Sequence, residues 1–371
     1  MNKVFFCLCS LIICCACNET GSIKEHIEVF HMDDGDIKKV RLSTIPDSIL
    51  GNPLYVMVKE KQKELMCQRF DKIAYHDDKF FVLDVSLKKL IVCDKWGNIV
   101  SKVGTRGNGP GEYVGIIDFD IDSKGYIYCI DGQLNKLFIY ASDLKISKVV
   151  DLPFEADAIQ VMDNGDMLFG LSSWNKGEGE GYKLMLTDKE LKEKCTMLPY
   201  DEYKDDNYWI SLYSFTKHQG RIIYNQPIDN NVYILNPSKI EHLQSLLFDF
   251  GSRNVPDEQK KDIERNLKDF EHYTLLKSPV VATSNYVVGT LLDGRKTRFF
   301  VYDIKNQVSY EGEEKEEYDN SQFVGYSEPY VISVINPTVE LSEEDTAYPD
   351  SVKSHILQEG RVIVLRQLYS K

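Results

Sequence analysis

Short catalytic and metal-binding motifs are what this 371-residue sequence most clearly lacks. Its body contains no Cys-x-x-Cys pair, and its seven histidines form neither His-x-His nor His-x-x-x-His, so the common zinc-site spacings are absent. No Gly-x-Ser-x-Gly element occurs, which removes the usual signature of a hydrolase nucleophile. Positive charge is also scarce, because the formal net charge is −14. Phosphate backbones require clustered Lys and Arg, so we expect no nucleic-acid partner.

Cysteine is scarce in the body but crowded at the start, where five of the nine fall within the first 17 residues. The opening "MNKVFFCLCSLIICCAC" has a basic Lys3, a run of about ten apolar residues and then small residues, the layout of a signal peptide. Ala16 directly precedes Cys17, as lipoprotein signal peptidase prefers, although Cys14 replaces the usual leucine. We therefore predict a signal peptide over 1–16 and lipid attachment at Cys17. An ordinary signal peptide with incidental cysteines stays open.

The N-terminal apolar run is too short for a membrane-spanning helix, and the rest of the chain has no apolar run long enough to cross a bilayer. Short strand-like runs with a period of two recur instead, separated by turn residues every eight to twelve positions. Two runs repeat with a constant offset of 47, so that Asp84 falls on Asp131 and Leu90 falls on Leu137. The copies cover 77–99, 124–146, 219–243 and 284–308, with further strands at 164–170 and 359–368.

A unit of about 47 residues holds about four strands and cannot bury both faces of its sheet alone. Units arranged radially bury these faces against one another, so the pattern predicts an all-β fold, a six-bladed β-propeller, with seven blades as the alternative. We assign 17–35 to a lipidated N-terminal leash and closing strand, and 36–371 to the propeller. The segment near 26–32 is predicted to pair with the C-terminal strands and close the ring. A short helical insertion is predicted near 255–273, where Pro256 begins a run with helical apolar spacing.

The stretch "GTRGNGPGEY" (104–113) is the most glycine-rich part of the chain. A phosphate-binding loop would need Lys followed by Ser or Thr at the head of a helix, but Glu112 and Tyr113 follow the last glycine and another strand comes next. We interpret the stretch as a structural joint between two units. The residues that permit its sharp turns are Gly104, Gly107, Gly109, Pro110 and Gly111.

Residues 98–131, "NIVSKVGTRGNGPGEYVGIIDFDIDSKGYIYCID", resemble the NHL-type propeller repeat, which carries a Gly-x-Gly-Pro-Gly-Glu element at its blade junction. More broadly, the chain looks like the six-bladed β-propeller lipoproteins of Gram-negative gut bacteria, over roughly residues 40–310. This resemblance implies the propeller fold and an outer-membrane lipoprotein location in the cell envelope. It does not imply a reaction.

Two functions of different classes remain from the sequence. In the first, the propeller is a binding or scaffold module for a protein or glycan at the cell envelope, and the lipid anchor attaches the protein to the membrane. Its candidate binding residues are Arg106, Asn108, Glu112, Tyr113, Trp174 and Trp209. In the second, the central channel holds a divalent metal and performs lyase or lactonase chemistry, as in some propellers of related shape. We expect no other cofactor. His76 and His218, which precede equivalent strands, could approach one another near the axis, although a turn or core position is the favoured interpretation of both.

Overall fold

The computed structural model describes residues 24–32, 37–39, 45–59, 65–200, 215–226, 228, 230–239, 242–260, 266–294, 296–311, 321–337 and 348–369. These residues form six sheets of four or five strands arranged as a β-propeller, which confirms the predicted blade count. Cys17 and Trp209 lie outside the described residues.

The strands of each blade are given from the strand nearest the axis to the strand at the rim. The first blade contains β4 (Lys72–His76), β5 (Lys79–Asp84), β6 (Lys89–Asp94) and β7 (Ile99–Lys102), and the second contains β8 (Ile116–Ile121), β9 (Ile127–Asp131), β10 (Lys136–Tyr140) and β11 (Ile146–Asp151). The third contains β12 (Ala156–Val161), β13 (Met167–Leu171), β14 (Tyr182–Thr187) and β15 (Glu193–Pro199). The fourth contains β16 (Thr216–His218), β17 (Arg221–Gln226), β18 (Asn231–Leu235), β19 (His242–Asp249) and β1 (Lys24–His31). The fifth contains β20 (Thr274–Ala282), β21 (Tyr286–Asp293), β22 (Lys296–Asp303), β23 (Val308–Glu311) and β2 (Ile37–Lys39), and the sixth contains β24 (Ser321–Ser327), β25 (Tyr330–Ile335), β26 (Val362–Gln367) and β3 (Leu54–Met57).

The apolar side chains are buried between neighbouring blades rather than in one central core. Phe81 and Leu83 of the first blade, for example, pack with Phe119 and Phe138 of the second. Successive strand residues point to opposite faces of a sheet, and each blade has a neighbour on both faces, so both sets of side chains are covered. This explains why β5 and β6 are almost wholly buried although their successive side chains point to opposite faces of the sheet.

The N-terminal segment crosses the rims of three blades. Strand β1 pairs in parallel with β19, strand β2 pairs in parallel with β23, and strand β3 pairs antiparallel with β26. The ring is therefore closed by Leu54–Met57 against the C-terminal strand, and the prediction that the segment near 26–32 closes it was wrong. Strands β1 and β3 both add to the outer edge of a blade, and nothing in their local sequence distinguishes which edge each one joins.

The insertion between the fourth and fifth blades is helical, as predicted. It contains a 3-10 helix at Gly251–Arg253, α1 (Asp257–Lys260) and a second 3-10 helix at Leu267–His272. Phe270 packs with Val255 and Leu275, which fastens the insertion to the first strand of the fifth blade. A further helix, α2 (Asp350–Leu357), precedes β26 and was not predicted. Within the described residues, none of the helices has the length and apolarity needed to span a membrane.

Candidate functional site

One end of the propeller carries the junctions between blades, and we call it the junction end. Here a buried aspartate recurs at the end of the second strand of a blade. Asp131 accepts hydrogen bonds from the backbone N–H groups of Val114 and Gly115 in the preceding junction and from those of Gln133 and Leu134 in its own turn, at 2.6–3.1 Å. A single side chain thus joins two loops of the same end.

Asp84, 47 residues earlier, plays the same part in the first blade. It accepts from the N–H groups of Gln68 and Arg69 in the junction and from Leu87 in its turn. Burial raises the pKa of the Asp84 carboxyl, but the hydrogen bonds from Ser86 and these backbone groups outweigh burial and hold the pKa below its usual value. The repeated aspartates are therefore structural joints, as their turn positions indicate.

The glycine stretch 104–113 lies at this end, between β7 and β8, where the chain crosses from the rim to the axis. Its backbone folds onto itself, because Gly107 N–H donates to Tyr113 O and Tyr113 N–H donates to Thr105 O. The Glu112 carboxylate accepts from Gly109 N–H at 2.8 Å and fills the space beside Gly107. The loop thus binds its own carboxylate where a phosphate loop would bind an anion, which supports its interpretation as a joint.

The predicted binding residues divide between surface and core. Arg106 and Asn108 are exposed on the loop, and Trp174 is 40% exposed in the loop between β13 and β14 at the same end. Tyr113 is 1% exposed, packs in the core between the first two blades, and burial raises the pKa of its hydroxyl to about 12. The structure therefore corrects the expectation for Tyr113, whose ring cannot meet a partner, and shows Glu112 engaged by its own loop.

The opposite end, where the first and second strands of each blade meet, is the turn end. The central channel opens there into a cavity of about 320 Å³. Inner strands of five blades line it, and it lies where sequence analysis had placed only a general channel. Its principal polar residues are Lys72, Asp120, Gln160, Lys217, Tyr326 and Ser327.

An ion pair lies at the inner part of this cavity. Lys72 Nζ donates to Asp118 Oδ1 and to Phe119 O, each at 2.7 Å, and both side chains are largely buried. Asp118 also accepts from the N–H of Ile159 in the next blade at 2.8 Å. Burial raises the pKa of Asp118, and the neighbouring Lys72 ammonium opposes that rise.

Asp120 repeats this arrangement one pleat nearer the turn end. Its Oδ2 accepts from Gln160 Nε2 and from Val161 N–H at 2.7 Å. The edge of an innermost strand has no neighbouring strand, so its N–H groups require side-chain acceptors when they are buried. Asp118 and Asp120 supply these acceptors for β12. The Asp120 carboxylate also borders the cavity and retains further acceptor capacity.

His218 lies beside the cavity rather than in it. Its Nδ1 is 2.9 Å from the Tyr326 hydroxyl and 3.7 Å from Glu328, and the side chain is 1% exposed. Burial lowers the pKa of His218, although the nearby Glu328 acts to raise it. His76 borders the cavity from the first blade and approaches Gly125 of the second. The two histidines thus lie at the same end of the channel, and His218 is a buried core histidine held by Tyr326.

A divalent metal in the channel would need several converging ligands. Within the described ranges, no group of three or more His, Cys, Asp and Glu side chains has the proximity to hold one. Asp120, one of the acids that line the cavity, accepts hydrogen bonds from Gln160 Nε2 and Val161 N–H.

Asp118 and Asp120 were not among the site residues predicted from the sequence. They occur in the run "IIDFDI" of β8, where two acids alternate with apolar residues in a strand that must be buried. Such acids require partners when a strand lies at the centre of a fold, and this was the signal available. Lys72, the partner of Asp118, lies 46 residues earlier in the chain, so no local pattern could identify it.

The fold and this channel place the protein among six-bladed β-propellers. A predicted exported protein of Bacteroides fragilis has the same fold, with a TM-score of 0.73 at 17% identity over 92% of this chain and 100% of its own. A member of the DUF4221 family from Bacteroides vulgatus aligns with a TM-score of 0.54 at 10% identity over 88% of this chain and 100% of its own. At these identities the likeness concerns the fold alone.

The chain belongs to the DUF4934 family, described as a domain of unknown function, whose model matches residues 36–355. A search of curated proteins finds no significant match.

Proposed function

We propose that the protein is an exported binding module of the cell envelope whose ligand enters the central cavity at the turn end. The observation that carries this proposal is the cavity itself, since side chains of five blades converge on one space of about 320 Å³. That volume falls at the lower end of the roughly 300–1,000 Å³ typical of small-molecule sites. Positively and negatively charged side chains line the cavity, among them Lys72, Lys217 and Asp120, and these can orient a ligand.

The buried framework around the cavity supports the same function. Asp118, Asp120 and Lys72 are held by hydrogen bonds to backbone groups of neighbouring strands, so the cavity walls are fixed before a ligand arrives. A preformed site loses little conformational entropy on binding. The junction end offers a second surface, where exposed Arg106, Asn108 and Trp174 suit contact with a protein or glycan.

Ligand-induced stabilisation tests this function and separates the two surfaces. The purified full chain is heated with and without an aqueous extract of cell envelope, because a ligand that binds only the native state raises Tm. We expect a rise in Tm that is lost in Lys217→Met, at the cavity, and retained in Arg106→Ala, at the junction end. Loss of the rise in Arg106→Ala alone would place binding at the junction end instead.

The envelope location depends on the lipid anchor, which we propose at Cys17. Six residues, 18–23, separate Cys17 from Lys24, the first residue of β1. Whatever their conformation, they span at most about 25 Å. A lipid on Cys17 would therefore hold the rim of the fourth blade near the membrane surface. The resemblance to outer-membrane lipoproteins with NHL-type repeats supports this proposal.

Metabolic labelling with an alkyne palmitate analogue tests the anchor. We expect labelling of the wild-type protein and loss of labelling in Cys17→Ser, with Cys195→Ser as the control. Labelling that persists in Cys17→Ser would contradict lipid attachment at this residue. The alternative of a metal-dependent lyase or lactonase that uses the central channel stays a prediction.

A further inference from the structure

We infer that the central cavity binds a neutral polyhydroxylated ligand, a short saccharide of one or two rings. This inference rests on the proposed binding function and names the chemistry of its ligand. It follows from three properties of the cavity: balanced charge in its interior, hydrogen-bonding groups of both kinds, and aromatic walls.

The interior charges balance one another. Lys72 is paired with Asp118 at 2.7 Å, and Lys217 and Asp120 both line the same cavity. The inner part of the cavity thus holds Lys217 and Asp120 beside the Lys72–Asp118 ion pair, which is two charges of each sign. A charged ligand of either sign would bring its charge close to a like charge in a partly desolvated space, which is costly. A neutral ligand does not meet that cost.

The mouth of the cavity disfavours anions in particular. Asp122, Asp163 and Glu328 border it at the turns of three blades. The Lys217 ammonium neutralises these carboxylates only weakly, since its Nζ lies 3.9 Å from Asp163 Oδ1. A phosphate or uronate would pass three carboxylates before reaching the interior, whereas an uncharged sugar would not be repelled.

The hydrogen-bonding groups match hydroxyls, which both donate and accept. Asp120 makes both of its side-chain bonds through Oδ2, so the carboxylate has acceptor capacity left. Gln160 donates through Nε2, which turns its carbonyl oxygen the other way as an acceptor. Lys217 contacts Val161 O at 3.5 Å and has three N–H donors. Ser327 accepts from Tyr75 N–H, and its own hydroxyl hydrogen can donate.

Aromatic side chains provide the apolar part of the site. Tyr75, Tyr326 and Phe215 line the cavity beside these polar groups. The Tyr326 hydroxyl is fixed by His218 at 2.9 Å, so its ring has a defined orientation. A sugar ring has apolar C–H faces and a polar edge, and an amphipathic wall of this kind complements both.

Isothermal titration calorimetry of the full chain tests the ligand class. The neutral probes are maltose, cellobiose, xylobiose and mannobiose, and the charged probes are digalacturonate and arginine. We expect at least one neutral disaccharide to bind, and the Lys217→Met and Gln160→Met variants to weaken its binding at least tenfold. Lys189→Met is the matched control, because Lys189 is exposed and lies outside this cavity. Circular dichroism melts of each variant verify folding.

The outcomes separate the ligand class from the proposed function. Binding of a neutral disaccharide that Lys217→Met weakens and Lys189→Met leaves unchanged would support the inference. Binding of digalacturonate or arginine alone, weakened by the same cavity variants, would overturn the saccharide class and leave a binding cavity. If none of these probes binds, the saccharide class and the proposal that this cavity binds small polar ligands are both overturned.

Discussion

The aspartates that join blade turns to blade junctions provide the most direct test of the fold's construction. Asp131 is fully buried and accepts four backbone hydrogen bonds from two loops. Replacing it with alanine leaves these four N–H groups without their carboxylate. Hydrogen bonds to charged groups contribute about 1.5–3 kcal/mol each.

The four losses do not add fully, because water can occupy the space that the carboxylate leaves. We expect Asp131→Ala to lower the free energy of unfolding by about 4 kcal/mol, less than the simple sum of such bonds. At about 2 °C per kcal/mol for a large domain, Tm should fall by roughly 8 °C. Asp131→Asn should cost nearly as much, since its NH₂ group would face two N–H donors.

Thermal unfolding followed by circular dichroism measures the change, and amide hydrogen exchange locates it. Exchange at Val114 and Gly115 should accelerate, because these N–H groups lose their acceptor. Asp151→Ala is the matched control, since Asp151 belongs to the same blade and its side chain is 86% exposed. A Tm for Asp131→Ala within about 1 °C of that control would refute the claim that this carboxylate joins the loops.

Three further predictions concern strand β1, the glycine joint and acid stability. Phe30 of β1 packs on Phe248 and Tyr302, with ring centroids 5.6 and 4.9 Å away, so Phe30→Ala should cost about 3 kcal/mol in denaturant unfolding. Gly104 has φ +65° and a Cβ there would meet the Tyr140 ring, so Gly104→Ala should cost about 2 kcal/mol; an unchanged denaturation midpoint would contradict this. Because the pKa of Asp84 is lowered on folding, its charge stabilises the native state above the unfolded pKa of about 3.9, and this contribution is lost as pH falls through the lower folded value. The stability gap between wild type and Asp84→Asn should therefore narrow in acid titrations, and a gap independent of pH would contradict the lowered pKa.

Much of the architecture follows from the sequence because the repeat is local. The 47-residue offset between Asp84 and Asp131 marks equivalent positions, and both side chains do hold a turn and a junction. The glycines of 104–113 likewise predicted a joint, since the steric cost of a left-handed backbone is a property of the residue itself. The length of one unit and the need to cover both faces of each sheet predicted a propeller of six blades, with seven as the alternative, and the structure has six.

The rim and the channel were decided by the tertiary structure. Parallel addition of β1 to β19 and closure by β3 depend on which strand edges remain exposed once the blades are assembled. His218 and Tyr326, 108 residues apart, meet only because a ring brings the fourth and sixth blades together at its axis. Periodicity within a chain specifies each blade, whereas contacts across the axis arise from the radial arrangement of all six, which no local pattern encodes.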